Sequence, residues 1–144
     1  MQTEEIEKIL LHTLKSTFVG VFAKDEIPNT PLRPMAIIVN TDPSSKPGTH
    51  WMAVFLFRNG GGEFFDSYGR YPVPKIERYL NKHASRGWSY NLRAVQSRIS
   101  TLCGAYCLLY LQARNSNKTL SLKSLVDRLF SFTNSWWNDC PCSS

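Results

Sequence analysis

The stretch "THWMAVFLFRNGGGEFFDS", Thr49 to Ser67, decides the fold class. Seven consecutive apolar residues, Trp51 to Phe57, read as a buried strand. The Asn59-Gly60 step that follows is a favoured hairpin turn, so Trp51–Arg58 and Glu63–Ser67 are expected to pair as a β-hairpin. Three glycines in a row could also cradle a phosphate. No Lys-Ser/Thr pair or following helix accompanies them, so the turn is the expected reading. His50 stands at the mouth of the first strand, where a buried strand has no need of an imidazole.

Outward from the hairpin, "MAIIVN" (Met35–Asn40) is a second buried strand, and "TDPSSKPGT" is a loop that delivers the chain to His50. Before it, "FVGVFAKDEIPNTPLRP" holds three prolines and is expected to cross irregularly. Glu4–Lys15 carries Ile6, Ile9, Leu10 and Leu14 at helical spacing. Downstream, Pro74–Ser85 reads as a helix with Ile76, Tyr79 and Leu80 on one face, and "WSYNLRAVQ" as a strand. A helix is expected from about Cys103 to Arg114, with Ser100 or Thr101 as N-cap. Leu122, Leu125, Val126, Leu129 and Phe130 outline a last amphipathic helix. The order α-β-β-β-α-β-α-α predicts an α+β class, a sheet with helices packed on it, with residues 1–144 forming one domain.

The totals narrow the function classes. At 42% hydrophobic residues the chain is expected to fold around a real core. Its longest apolar run is far short of the roughly 20 residues that span a bilayer, so no membrane partner is expected. The start, "MQTEEIEKIL", is acidic and amphipathic and does not read as a secretory signal, which makes an intracellular setting the expectation. The cysteine pairs 103/107 and 140/142 lack zinc-finger spacing, so no metal is expected. A net charge of +6 favours polyanionic partners without requiring them.

Cys103 is the candidate nucleophile. It sits where a polar loop becomes a helix, and a helix N-terminus favours the thiolate. Gly104 after it would leave room for a substrate backbone, and Cys107 one turn on reads as a buried small hydrophobe. A thiolate needs a base. His12 and His83 read as surface residues, whereas His50 ends a loop and begins a buried strand. Asp66 closes the paired strand and could orient that imidazole, and Gln96 could donate to an oxyanion together with the Cys103 N–H. Gly48, Thr49, Trp51 and Ser97 are candidate cleft residues, Trp51 being equally a core candidate.

With these residues in view, the chain resembles the adenovirus-type cysteine proteases (adenain-like, related to SUMO proteases). The carrying motifs are "FVGVF" and "IP", "AIIVNTDPSSKPGTHWMAVF", "FFDSYGR", "VQS" and "LCGAYC". The resemblance implies a circularly rearranged papain-like fold with a central mixed sheet flanked by helices. It also implies a catalytic set falling on His50, Asp66, Gln96 and Cys103. Asp66 departs from the Glu common in adenovirus enzymes and matches the SUMO-protease branch. As expectations, the resemblance brings viral precursor substrates with Gly near the scissile bond, host nucleus and virion as location, and DNA or an activating peptide as cofactor. A peptide disulfide-linked upstream of Gln96 is not expected, because no cysteine lies between Tyr68 and Gln96. Cys140 and Cys142 offer a mixed disulfide or exposed thiols. For DNA, the candidates are Arg70, Lys75, Arg78, Lys82 and Arg86, with Arg93 and Arg98 nearby, and a solvated charged face is the plain alternative. A monomer is expected. Two other readings stand beside the endopeptidase: a ubiquitin-like-modifier isopeptidase, and a non-catalytic DNA-binding virion protein.

Overall fold

The computed structural model describes residues 3–29, 31–40, 50–95 and 103–139, with the side chains of Thr3, Cys103 and residues 132–139 excepted. Helix α1 (Thr3–Leu14) leads into strands β1 (Phe18–Ala23), β2 (Met35–Asn40), β3 (Trp51–Leu56) and β4 (Gly62–Phe65). Helix α2 (Pro74–His83), strand β5 (Trp88–Tyr90) and helices α3 (Cys103–Ser116) and α4 (Leu122–Asp139) follow. The five strands lie in the order β1-β2-β3-β4-β5, with the outer pairs parallel and the inner pairs antiparallel. The expected α+β architecture, a mixed sheet flanked by helices, holds.

The apolar runs are continuous because both faces of the sheet are covered. Met35, Ile37, Val39, Met52, Val54, Leu56 and Phe64 meet Ile76 and Leu80 of α2 on one face. Ala36, Ile38, Ala53, Phe55 and Phe65 meet α1, α3 and α4 on the other. In the β2–β3 ladder Ala36 pairs with Phe55 and Ile38 with Ala53, so small residues alternate with large ones beneath the helices. Each large apolar side chain removed from water this way contributes about 1.5–3 kcal/mol.

Three boundaries differ from the sequence reading. "FVGVFA", expected as irregular crossing chain, is strand β1, parallel to β2. Only its two end residues are buried, and the register shifts between Phe18 and Gly20, so the alternation that marks a strand is broken by a bulge. Gly20 at φ +155° accommodates that bulge. The strand expected over "WSYNLRAVQ" stops at Tyr90, because Asn91 turns to bond the end of β4 instead of continuing the ladder. The hairpin closes through a longer loop than a two-residue turn: Phe57 N–H donates to Gly61 C=O at 2.8 Å, and the Asn59 side chain caps Gly61 N–H at 2.9 Å.

One polar group is buried between the sheet and α3. Arg114, 1% exposed, holds Glu63 of β4 through Nε–Oε1 at 2.8 Å and Nη2–Oε2 at 2.7 Å. The Tyr110 hydroxyl donates to the same carboxylate at 2.7 Å, and its ring stacks on Phe65. Arg114 Nη1 donates to the carbonyls of Asn117 and Leu120, so the α3–α4 connection is gathered into the same cluster. Burial pushes the Glu63 carboxyl above its usual range, against the opposing pull of Tyr110 and Arg114. Among the described residues, no helix is long and apolar enough to cross a membrane.

Candidate active site

His50 directly precedes β3 and Asp66 directly follows β4. Because Ala53 faces Phe65 across the ladder, Met52 falls opposite Asp66, and His50, two residues back, alternates to the same side. The result is a direct pair: His50 Nε2 and Asp66 Oδ1 lie 2.7 Å apart, with the two residues 8% and 2% exposed. A short hydrogen bond to a buried carboxylate fixes the imidazole tautomer with its proton on Nε2. Nδ1 is then the ring nitrogen that would take a proton from a thiol.

The pair is held on three sides. Tyr68 donates its backbone N–H to Asp66 Oδ1 at 2.9 Å, and its ring stacks on the imidazole with centroids 4.7 Å apart. Arg70 lies over the other half of this stack, 4.9 Å from the Tyr68 centroid. Asn91, buried, accepts the Asp66 N–H at 2.9 Å and donates to the Asp66 C=O at 2.7 Å and the Arg93 C=O at 3.0 Å. Gly69 closes the turn with φ +72°, its N–H on the Asp66 carbonyl. A Cβ at Gly69 would stand 2.9 Å from the Leu92 carbonyl, so the 92–94 segment seats directly against this turn.

Neither Tyr68 nor Asn91 is a candidate in the sequence. The phenol lies two residues past a carboxylate, and the amide lies 25 residues away with no motif around it; only the fold shows what each touches. Asn91→Ala removes three hydrogen bonds and leaves two backbone groups of Asp66 buried without that partner, at about 1–3 kcal/mol of stability. A displacement of Asp66 by even 1 Å is expected to lower kcat/KM by about 10²-fold. Melting curves and kcat/KM on one fluorogenic substrate measure the two effects, and the pH profile should shift because the imidazole loses its fixed orientation.

Cys103 opens α3, so its backbone stands at the positive end of a 14-residue helix dipole. One contact connects the first turns of α3 to the His50 side, and another fixes the chain that precedes Gln96. Cys107, fully buried, sits with its Sγ 3.3 Å from the Trp51 carbonyl, the residue after His50. Val95 donates its N–H to the Ser67 carbonyl at 2.8 Å, anchoring the chain immediately before Gln96 beside the Asp66 turn. Gly48, Thr49, Gln96 and Ser97 lie outside the described residues, as do Ser100, Thr101, Cys140 and Cys142.

Two of the cleft candidates receive a packing role. Trp51 is half-buried against the large core beneath α3. Gly104 faces α1: a Cβ there would meet Ile6 Cδ1 at 2.8 Å, so the missing side chain lets the two helices approach. The DNA candidates do not form one track. Lys75, Arg78 and Lys82 share a face of α2, Arg70 lies over Tyr68 beside His50, and Arg86 bonds the hairpin loop at Gly60, at the other end of the sheet. Among the described residues, no group of three or more His, Cys, Asp or Glu could hold a metal.

No family model matches the chain. It is 31% identical over 100 residues to a cysteine protease of African swine fever virus, covering 60% of this chain and 36% of that protein. It is 28% identical over 109 residues to a protein of another isolate named SUMO-1 cysteine protease, covering 67% of this chain and 39% of that protein. The chain thus spans little more than a third of the length of the curated relatives it matches. Among solved structures, the African swine fever virus protease superposes with a TM-score of 0.55 at 18% identity, over 91% of this chain and 64% of that one. ChlaDub1 of Chlamydia trachomatis superposes with a TM-score of 0.61 at 16% identity, over all of this chain and 94% of that one. In sequence, then, the chain is similar to viral cysteine proteases, and it has the fold of the African swine fever virus enzyme and of ChlaDub1.

Proposed function

We propose that the protein is a cysteine peptidase of the adenain- and SUMO-protease-like kind. The observation that carries this reading is the buried 2.7 Å pair of His50 and Asp66 at one end of the sheet, beside the helix that Cys103 opens. His50 takes the Cys103 thiol proton through Nδ1, and Asp66 stabilises the imidazolium. The thiolate attacks a peptide carbonyl, and the Cys103 N–H with the Gln96 amide receives the oxyanion. His50 returns the proton to the leaving amine, and water then releases the acyl-enzyme.

The substrates are proteins with glycine at the scissile bond. Viral structural precursors are the first class. The second, the C-terminal tail of a ubiquitin-like modifier, is favoured by the name of the relative called SUMO-1 cysteine protease. Wild type is expected to release fluorophore from a SUMO-1 or ubiquitin C-terminal conjugate, or from a Gly-containing peptide, and the ratio of the kcat/KM values ranks the two classes. Cys103→Ala should fold normally and cleave none of them. An active Cys103→Ala protein would overturn the mechanism.

A further inference from the structure

The face of the sheet that carries α2 has a second concavity, which shares no residue with the His50–Asp66 site. It has a volume of about 220 Å3 and lies between α2 and the chain leaving β1. Lys75, Arg78 and Lys82 line it from successive turns of α2, and Lys24 lines it from the end of the β1 segment. His83 and Tyr79 complete the wall, and Asp25 is the one carboxylate among the lining residues.

Two observations set these cations apart from an ordinary solvated surface. First, none of Lys24, Lys75, Arg78 and Lys82 makes an ion pair among the described residues. On α4, by contrast, Lys123 pairs with Asp127 four residues on, and Arg93 reaches the same carboxylate. Like charges on neighbouring turns repel, and α2 stacks three of them, none in an ion pair among the described residues. Second, the wall is partly withdrawn from water: burial first, then the charges of Lys82 and Arg33, hold the His83 imidazole below its usual range. Tyr79, its phenol raised to about 12 by burial, stays a neutral hydroxyl within this wall.

We propose that this concavity binds a compact anion carrying several phosphate groups, gripped by Lys24, Lys75, Arg78 and Lys82. Ammonium and guanidinium groups converging from two elements suit clustered phosphate oxygens, which accept several charge-assisted hydrogen bonds at once. The shape favours a compact ligand over a nucleic-acid strand. An extended backbone needs a track of cations, and the two other basic candidates of this stretch of chain, Arg70 and Arg86, sit at opposite ends of the hairpin.

The test is calorimetric titration of the intact protein with inorganic tripolyphosphate at physiological salt, alongside a 15-nucleotide single strand. Tripolyphosphate should bind with a Kd of about 100 µM or tighter, weakening as salt rises. The combined Lys75→Ala, Arg78→Ala and Lys82→Ala variant should bind at least about tenfold more weakly with an unchanged melting temperature, whereas Arg70→Ala and Arg86→Ala should bind as wild type does. Equal affinity in wild type and the triple variant, or no binding at millimolar tripolyphosphate, overturns the proposal. So does a single strand that binds at least tenfold more tightly than tripolyphosphate and loses that affinity in the triple variant. The readout is binding alone, so either result leaves the peptidase reading where it stands.

Discussion

His50→Ala should lower kcat/KM on a cleaved substrate by about 10³-fold, within the range that a positioned general base supplies. The loss should fall on kcat, because the imidazole acts on the reacting thiol and has no part in gripping the rest of the substrate. His50→Gln is the companion variant: it keeps the volume beside Tyr68 and can still bond Asp66, yet it cannot take a proton. Both should be inactive while the glutamine variant melts close to wild type. Asp66→Asn should be intermediate, since the amide keeps the Tyr68 N–H bond but loses the charge that favours the imidazolium. An alkylating probe that labels Cys103 in wild type should label the His50 variants far more slowly. A His50→Gln protein within tenfold of wild-type activity would mean that the 2.7 Å pair is structural.

The second large effect concerns stability. Arg114→Met leaves the buried Glu63 carboxylate facing only the Tyr110 hydroxyl, and removing one partner of a buried pair costs about 3–5 kcal/mol. For a chain of this size that corresponds to a fall in Tm on the order of 10 °C. The variant also releases the carbonyls of Asn117 and Leu120 that tie α3 to α4. Changing both partners, Glu63→Gln with Arg114→Met, should recover part of the loss, because no charge is then stranded. The pH dependence has a definite sign. A carboxyl raised in the folded state contributes stability that is complete below its unfolded pKa and is lost as pH rises through the folded value. Glu63 is already raised, and without Arg114 it rises further, so the deficit of Arg114→Met should shrink as pH falls from 7 toward about 4.5. A deficit that stays constant over that range would show that the carboxylate is not the group being stranded.

The hairpin, the two-sided burial of β2 and β3, and the four helices were legible because apolar period and turn chemistry are local properties of the chain. β1 was not. A bulge interrupts its alternation, and its three outer prolines belong to the loop after it, so no window of sequence marks the strand. Gly104 was legible as a glycine beside a cysteine but not as a glycine beside Ile6, since that contact joins residues nearly a hundred positions apart.

The sequence alone determined which residue types were available for the chemistry and roughly where each lay: His50 at a strand mouth, Asp66 at the end of its partner strand, Cys103 at the start of a helix. The tertiary structure decided whether His50 and Asp66 meet. The hairpin loop runs to Gly61 and pairs Leu56 with Gly62, and that register sets His50 and Asp66 on one side. A one-residue slip would turn them to opposite faces, because side chains alternate with a period of two. Asn91, Glu63 with Arg114, and the meeting of Lys24 with the cations of α2 belong wholly to the fold, since each depends on contacts between elements that local sequence does not encode.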